Sequence, residues 1–162
     1  MKRTILLADD EKNTREGLRW ALEAKDRSIL LAADGEEAVN LAATNHVDVL
    51  ITDLRMPKLD GMRVLERVRS ISPDTTVVVL TGHGTVESAV DAMKHGAYDY
   101  LIKPVNIDEL NLLIERILTN RALAEENVEL KRKLDSRYGF ENIVGRSEAM
   151  NAVFARVRTV AP

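Results

Sequence analysis

Asp9, Asp10, Asp53, Thr81 and Lys103 are the residues whose types and spacing could do chemistry in this chain. Each follows or closes a short apolar run: Thr4–Ala8 before Asp9-Asp10, Val47–Thr52 before Asp53, Thr76–Leu80 before Thr81-Gly82, and Tyr98–Ile102 before Lys103-Pro104. Three carboxylates gathered at one place repel one another unless a cation lies among them. A donor set made of oxygen alone, with room for water and a phosphate, suits Mg²⁺ or Mn²⁺. Thr81 can donate a hydrogen bond, and Lys103 offers a compact ammonium for a phosphoryl oxygen. Taken singly, each piece has a plainer use. An Asp between a strand and a helix is commonly an N-cap, a role open to Asp10. Thr81-Gly82 also reads as a turn with a capping hydroxyl, and Lys103-Pro104 as a turn. Only convergence would make them a site.

Convergence depends on the elements that carry them. The runs are nearly continuous in Ile, Leu and Val, as strands covered on both faces must be. A fifth run, Ser28–Ala33, ends at Asp34-Gly35. Between the runs lie Asn13–Ala24, Glu36–Thr44, Gly61–Ile71, Thr85–His95 and the stretch from Ile107 onward. Their apolar residues recur at helical spacing, as in Val64, Leu65 and Val68, or Val86, Ala89, Val90 and Met93. Alternating strands and helices predict an α/β fold, a doubly wound parallel sheet with helices on both faces. Ligands of such sheets bind beyond the carboxyl ends of the strands, where strand order reverses. With the order 2-1-3-4-5, strands one and three adjoin at that point, and Asp9, Asp10 and Asp53 share one crevice.

Composition narrows the function. The 162 residues are 45% hydrophobic and 30% charged, the balance of a soluble globular protein with one domain and a tail or a piece of a second. Without cysteine there are no disulfides and no thiolate metal site, and a cytoplasmic location is permitted. A net charge of −3 argues against a direct grip on nucleic acid, and an aromatic content of 4% disfavours base stacking. No run approaches the roughly 18 apolar residues of a membrane span. The opening Met1–Asp9 reaches acidic residues too soon for a secretory signal.

The pattern changes after residue 105. From Ile107 to about Leu134 there is no Gly or Pro, and Leu110, Leu113, Ile114 and Ile117 could pack on the sheet. Further on, Asn120 and Asn127 fall at heptad position a, Leu123 and Leu130 at d, and Leu134 at a, with Glu126 at g and Lys131 at the following e. This is the seam of a parallel two-stranded coil. A solvated amphipathic linker helix is the alternative. Gly139 breaks the helix, and one amphipathic stretch follows, Glu148–Val160.

Asp9-Asp10, Asp53-Leu54-Arg55-Met56-Pro57 with Gly61, Thr81-Gly82 and Lys103-Pro104 closely resemble the receiver domain of two-component response regulators. The resemblance covers about residues 1–120. It implies a flavodoxin-like (βα)5 fold with Asp53 as acceptor of a phosphoryl group from a sensor histidine kinase. It implies Mg²⁺ held by Asp10, Asp53 and the backbone carbonyl of Arg55, with Asp9 acting through a bound water. Lys103 and Thr81 would bind phosphoryl oxygens, and the peptide before Pro104 would be cis. Thr81 and Tyr100 would form the switch, remodelling the surface of the fourth helix, fifth strand and fifth helix, a second candidate interface between copies. Arg55 and His83 stand where receivers tune the lifetime of the acyl phosphate; for His83 a solvated loop position is the alternative.

Phe140-Glu141-Asn142-Ile143-Val144-Gly145-Arg146-Ser147-Glu148-Ala149-Met150, with Val153 and Val157, resembles the opening of the AAA+ domain of NtrC-type activators of sigma-54 RNA polymerase. The chain then divides into a receiver at 1–120, a helical dimerisation linker at 121–138 and the truncated start of an ATPase at 139–162. It carries no G-x-x-x-x-G-K-[ST] loop for ATP, so the chain is expected to be no enzyme beyond its own phosphorylation and dephosphorylation. In the parent protein, contacts with sigma-54 RNA polymerase and DNA would lie outside this piece. A receiver serving another output class is the alternative. Three rivals fit less well. A dehalogenase-like phosphatase wants a second Asp where Arg55 stands. A flavin module would set its phosphate against three carboxylates. An inert receiver would not keep the full set of site residues.

Overall fold

The apolar runs become strands, the central ones covered on both faces and the two edge ones in part, and the amphipathic stretches between them supply the cover. The computed structural model describes residues 2–82 and 84–138. Its elements are β1 (Arg3–Ala8), α1 (Lys12–Leu22), β2 (Arg27–Ala32), α2 (Gly35–Thr44), β3 (Val49–Asp53), α3 (Gly61–Ile71), β4 (Thr76–Thr81), α4 (Val86–Lys94), β5 (Asp99–Ile102) and α5 (Ile107–Tyr138). The strands form one parallel sheet in the order β2-β1-β3-β4-β5, the expected doubly wound arrangement. A compact unit ends at Thr119, and a second begins at Asn120. His83, the break at Gly139, the stretch Glu148–Val160 and the ATPase-like opening lie outside the described residues.

Strand alternation splits the core into two layers. Leu6, Leu50, Val77 and Val79 meet Ala38 and Ala42 of α2, Val64, Leu65 and Val68 of α3, and Ala92 of α4. Ile5, Leu7, Val49, Ile51, Val78 and Leu80 meet Leu18 and Leu22 of α1, together with Leu110, Leu113, Ile114 and Ile117 of α5. Each fully buried Leu or Ile contributes about 1.5–3 kcal/mol by leaving water. The last strand alternates in the same way: Tyr100 packs against the first layer and Leu101 against the second.

Several boundaries differ from the sequence expectation. β3 starts two residues later than Val47 and takes in Asp53, which keeps its place in the ladder opposite Leu80. β2 is Arg27–Ala32 because the Ala33 amide turns to the Glu37 carboxylate, 2.7 Å away. Thr85 and His95 are the caps of α4, with Thr85 and Ser88 forming a reciprocal capping box. Helix α5 continues to Tyr138, since nothing before Gly139 stops it.

Candidate functional site

Strand register brings the chemistry together. Ala8 lies opposite Thr52, so Asp9, Asp10 and Asp53 emerge side by side as β1 and β3 end. Thr81 lies opposite Ile102, so Lys103 leaves β5 at the same edge. Gly61 lets α3 start hard against this edge. A Cβ there would lie 2.1 Å from the Asp53 carbonyl oxygen, a distance no side chain can occupy.

One oxygen from each of Asp9, Asp10 and Asp53 lies within 4.8 Å of the others. Asp9 and Asp53 are buried, while Asp10 faces solvent. The N-cap position of α1 is held by Glu11, with no side-chain cap bond, so the plain reading of Asp10 as a cap is wrong. Asp9 Oδ1 accepts from the Glu11 amide at 2.9 Å, and its carbonyl accepts from the Arg15 guanidinium. Asp53 Oδ1 accepts from the Arg55 amide at 3.1 Å.

Lys103 Nζ donates to Asp9 Oδ2 at 2.6 Å and to Asp53 Oδ2 at 2.5 Å. Burial pushes its pKa down, but the hydrogen bonds to Asp53 and then Asp9, with their charges, outweigh burial and raise it above the ordinary lysine value. In formal charge, three carboxylates less one ammonium leave −2 at the edge. An all-oxygen cluster with that residual charge fits a hard divalent cation. Thr81 is buried at the end of β4. The Lys103–Pro104 peptide is cis, as the resemblance implies.

The remaining expected residues sit around this centre. Arg55 is exposed, and its amide is the one already noted on Asp53 Oδ1. Tyr100 is half-buried, and its hydroxyl meets Ser88 Oγ at 2.7 Å. Sequence reasoning missed Ser88. The signal was the Thr85-x-x-Ser88 pattern at the start of α4, which marks a cap. It also missed Lys58 and Asp34, paired at 2.6 Å across the loop after β3, because a contact spanning 24 residues leaves no local trace.

A two-layered (βα)5 sheet with this acidic edge defines a class, and the comparisons give it a family. Residues 5–115 match the model of the response regulator receiver domain, and the chain belongs to that family. It is 38% identical over 146 residues to the regulatory protein AtoC of Escherichia coli (strain K12), covering 90% of this chain and 32% of that protein. Crystalline NtrX from Brucella abortus, in complex with ADP, is 30% identical with a TM-score of 0.72, and the match covers all of this chain and 35% of that one. The beryllofluoride-activated NtrC4 receiver domain dimer is 32% identical with a TM-score of 0.68, over 73% of this chain and 98% of that one. The chain thus spans about a third of the length of a full relative such as AtoC. Among the described residues, no helix is long and apolar enough to cross a membrane.

Proposed function

We propose that this chain is the phospho-acceptor and linker of a two-component response regulator, with Asp53 taking a phosphoryl group from a sensor histidine kinase in the cytoplasm. The observation that carries the reading is the Asp9-Asp10-Asp53 cluster with Lys103 bonded to two of its members. Asp10, Asp53 and the Arg55 carbonyl would hold Mg²⁺ (Mn²⁺ fits the same donors), with Asp9 acting through water. Bound there, the ion would offset charge on the transferring phosphoryl oxygens.

The chain's own groups do the rest. Asp53 is the nucleophile: a carboxylate oxygen forms the new bond to phosphorus as the bond to the histidine nitrogen breaks, and that nitrogen keeps the electron pair. Lys103, already on Asp53 Oδ2, is placed to follow the charge onto a phosphoryl oxygen. Burial keeps Asp53 out of competition with bulk water. The acyl phosphate carries about −1.5 to −2 charges in place of the single negative charge of the Asp53 carboxylate, so an edge already negative becomes more so. Thr81 then donates to the phosphoryl group, and Tyr100 leaves Ser88 for the space Thr81 vacates. The result is a population shift between two arrangements of α4.

The unit over 1–120 serves as receiver and 121–138 as a dimerising linker, with the α4-β5-α5 face as a second contact between copies. Residues 139–162 are the start of an AAA+ motor. In the whole protein, phosphorylation controls assembly of that motor on sigma-54 RNA polymerase at DNA, while this piece touches no nucleic acid itself. Likeness to AtoC and NtrX along nearly the whole chain favours this output over others. With Mg²⁺ present, beryllofluoride should give a bound ¹⁹F NMR signal and a larger sedimentation coefficient, both lost in Asp53→Ala. A bound signal that survives in Asp53→Ala would place the acceptor elsewhere.

A further inference from the structure

The loop after β3, residues 54–60, carries the Arg55 carbonyl, and its shape is set at two levels. At its base the Leu54 amide donates to Leu80 O at 3.0 Å, and the Gly61 amide closes back on Leu54 O at 2.9 Å. At its tip the chain turns through Lys58 at a φ of 66°. That left-handed conformation costs a lysine on the order of 1 kcal/mol, a cost glycine would not incur. A non-glycine residue held there points to a side chain with a task.

The task is visible in the neighbouring helix. Lys58 Nζ donates to Asp34 Oδ2 at 2.6 Å, while Asp34 Oδ1 caps α2 by accepting from the Glu37 amide at 2.9 Å. Beside the pair, Leu59 sits so close to Gly35 that a Cβ on Gly35 would lie 2.0 Å from the Leu59 carbonyl oxygen. The tip is therefore seated on the first turn of α2 by a charge pair and a backbone contact. The hydrogen bond between them holds the Asp34 carboxyl below the usual carboxylate range and the Lys58 ammonium above the usual lysine value.

We propose that Lys58 and Asp34 form a clamp that presets the Arg55 carbonyl for the divalent ion, making Lys58 a positioning residue for phosphorylation of Asp53. The inference rests on the phospho-acceptor reading above. Without the clamp the loop samples conformations in which the carbonyl is turned away, and part of the ion's binding free energy goes into ordering it.

Sign separates positioning from a simple field effect. Acting only through space, loss of the Lys58 charge would strengthen Mg²⁺ binding, and loss of the Asp34 charge would weaken it. A clamp requires both to weaken it. Mg²⁺ titrations of the full chain by calorimetry should give Kd values raised about two- to fivefold in Lys58→Met, in Lys58→Gly and in Asp34→Asn, the scale of one exposed pair. The double variant should lose no more than either single one, and Lys58→Arg should restore binding. Lys58→Gly relieves the backbone, so its melting temperature should hold or rise while its affinity falls. In metal-free protein the Arg55, Met56, Lys58 and Leu59 amides should exchange faster in Lys58→Met, Lys58→Gly and Asp34→Asn. Opposite signs for Lys58→Met and Asp34→Asn, additive losses, or unchanged exchange with a wild type that binds Mg²⁺, would overturn the clamp alone. A wild type that takes up no Mg²⁺ would overturn the phospho-acceptor reading and the clamp with it.

Discussion

Lys103 decides how the acidic edge behaves when nothing is bound. Its ammonium spans Asp9 and Asp53 and so competes with any cation for the same oxygens. Replacing it by Met should tighten Mg²⁺ binding, measured by calorimetry, yet slow phosphoryl uptake on the order of 10²-fold, because the charge that meets the phosphoryl oxygens is gone. The pair also leaves a pH signature. A pKa raised by folding stabilises the native state while the lysine is charged in both states, and that gain is lost as pH climbs through the folded value. The melting temperature should therefore fall above about pH 10.5, the ordinary value for lysine. In Lys103→Met the alkaline fall should be smaller; an unchanged profile would mean the ion pairs add nothing to stability.

Among the elements, α5 has two characters. Leu110, Leu113, Ile114 and Ile117 are buried in the core, whereas Leu123, Leu130 and Leu134 are more than half exposed. A row of leucines left in water at heptad spacing is the form expected of a coil seam awaiting its partner. Sedimentation equilibrium should find a dimer whose Kd rises at least tenfold when Leu123 and Leu130 become Lys. An unaltered dimer would move the interface onto the α4-β5-α5 face. Periodicity made every element legible here, because helix and strand faces repeat at different intervals. It did less well at ends, where caps decide. Asp10 looked like the cap of α1, and Glu11 holds that position. Thr85 looked helical and is the cap of α4.

At the scale of the whole molecule, the sheet order turns separated residues into one edge; alternating strands and helices made the parallel sheet legible, while the particular order came with the family resemblance. The trio of acids and Lys103 follow from strand ends, while the cis Lys103–Pro104 peptide was expected only from the family resemblance. What stayed hidden depends on contacts between layers: Ser88 against Tyr100, Arg15 on the Asp9 carbonyl, and Lys58 reaching Asp34. Those pairings are set by how helices seat on the sheet, which no local pattern encodes. The central claim, that Asp53 carries a phosphoryl group with the help of a divalent ion, is tested most directly by intact mass spectrometry after incubation with acetyl phosphate and Mg²⁺. The account predicts one added phosphoryl group, removable by hydroxylamine as an acyl phosphate, and none after chelation of the metal or in Asp53→Asn. Equal incorporation in Asp53→Asn, or incorporation indifferent to the metal, would contradict it.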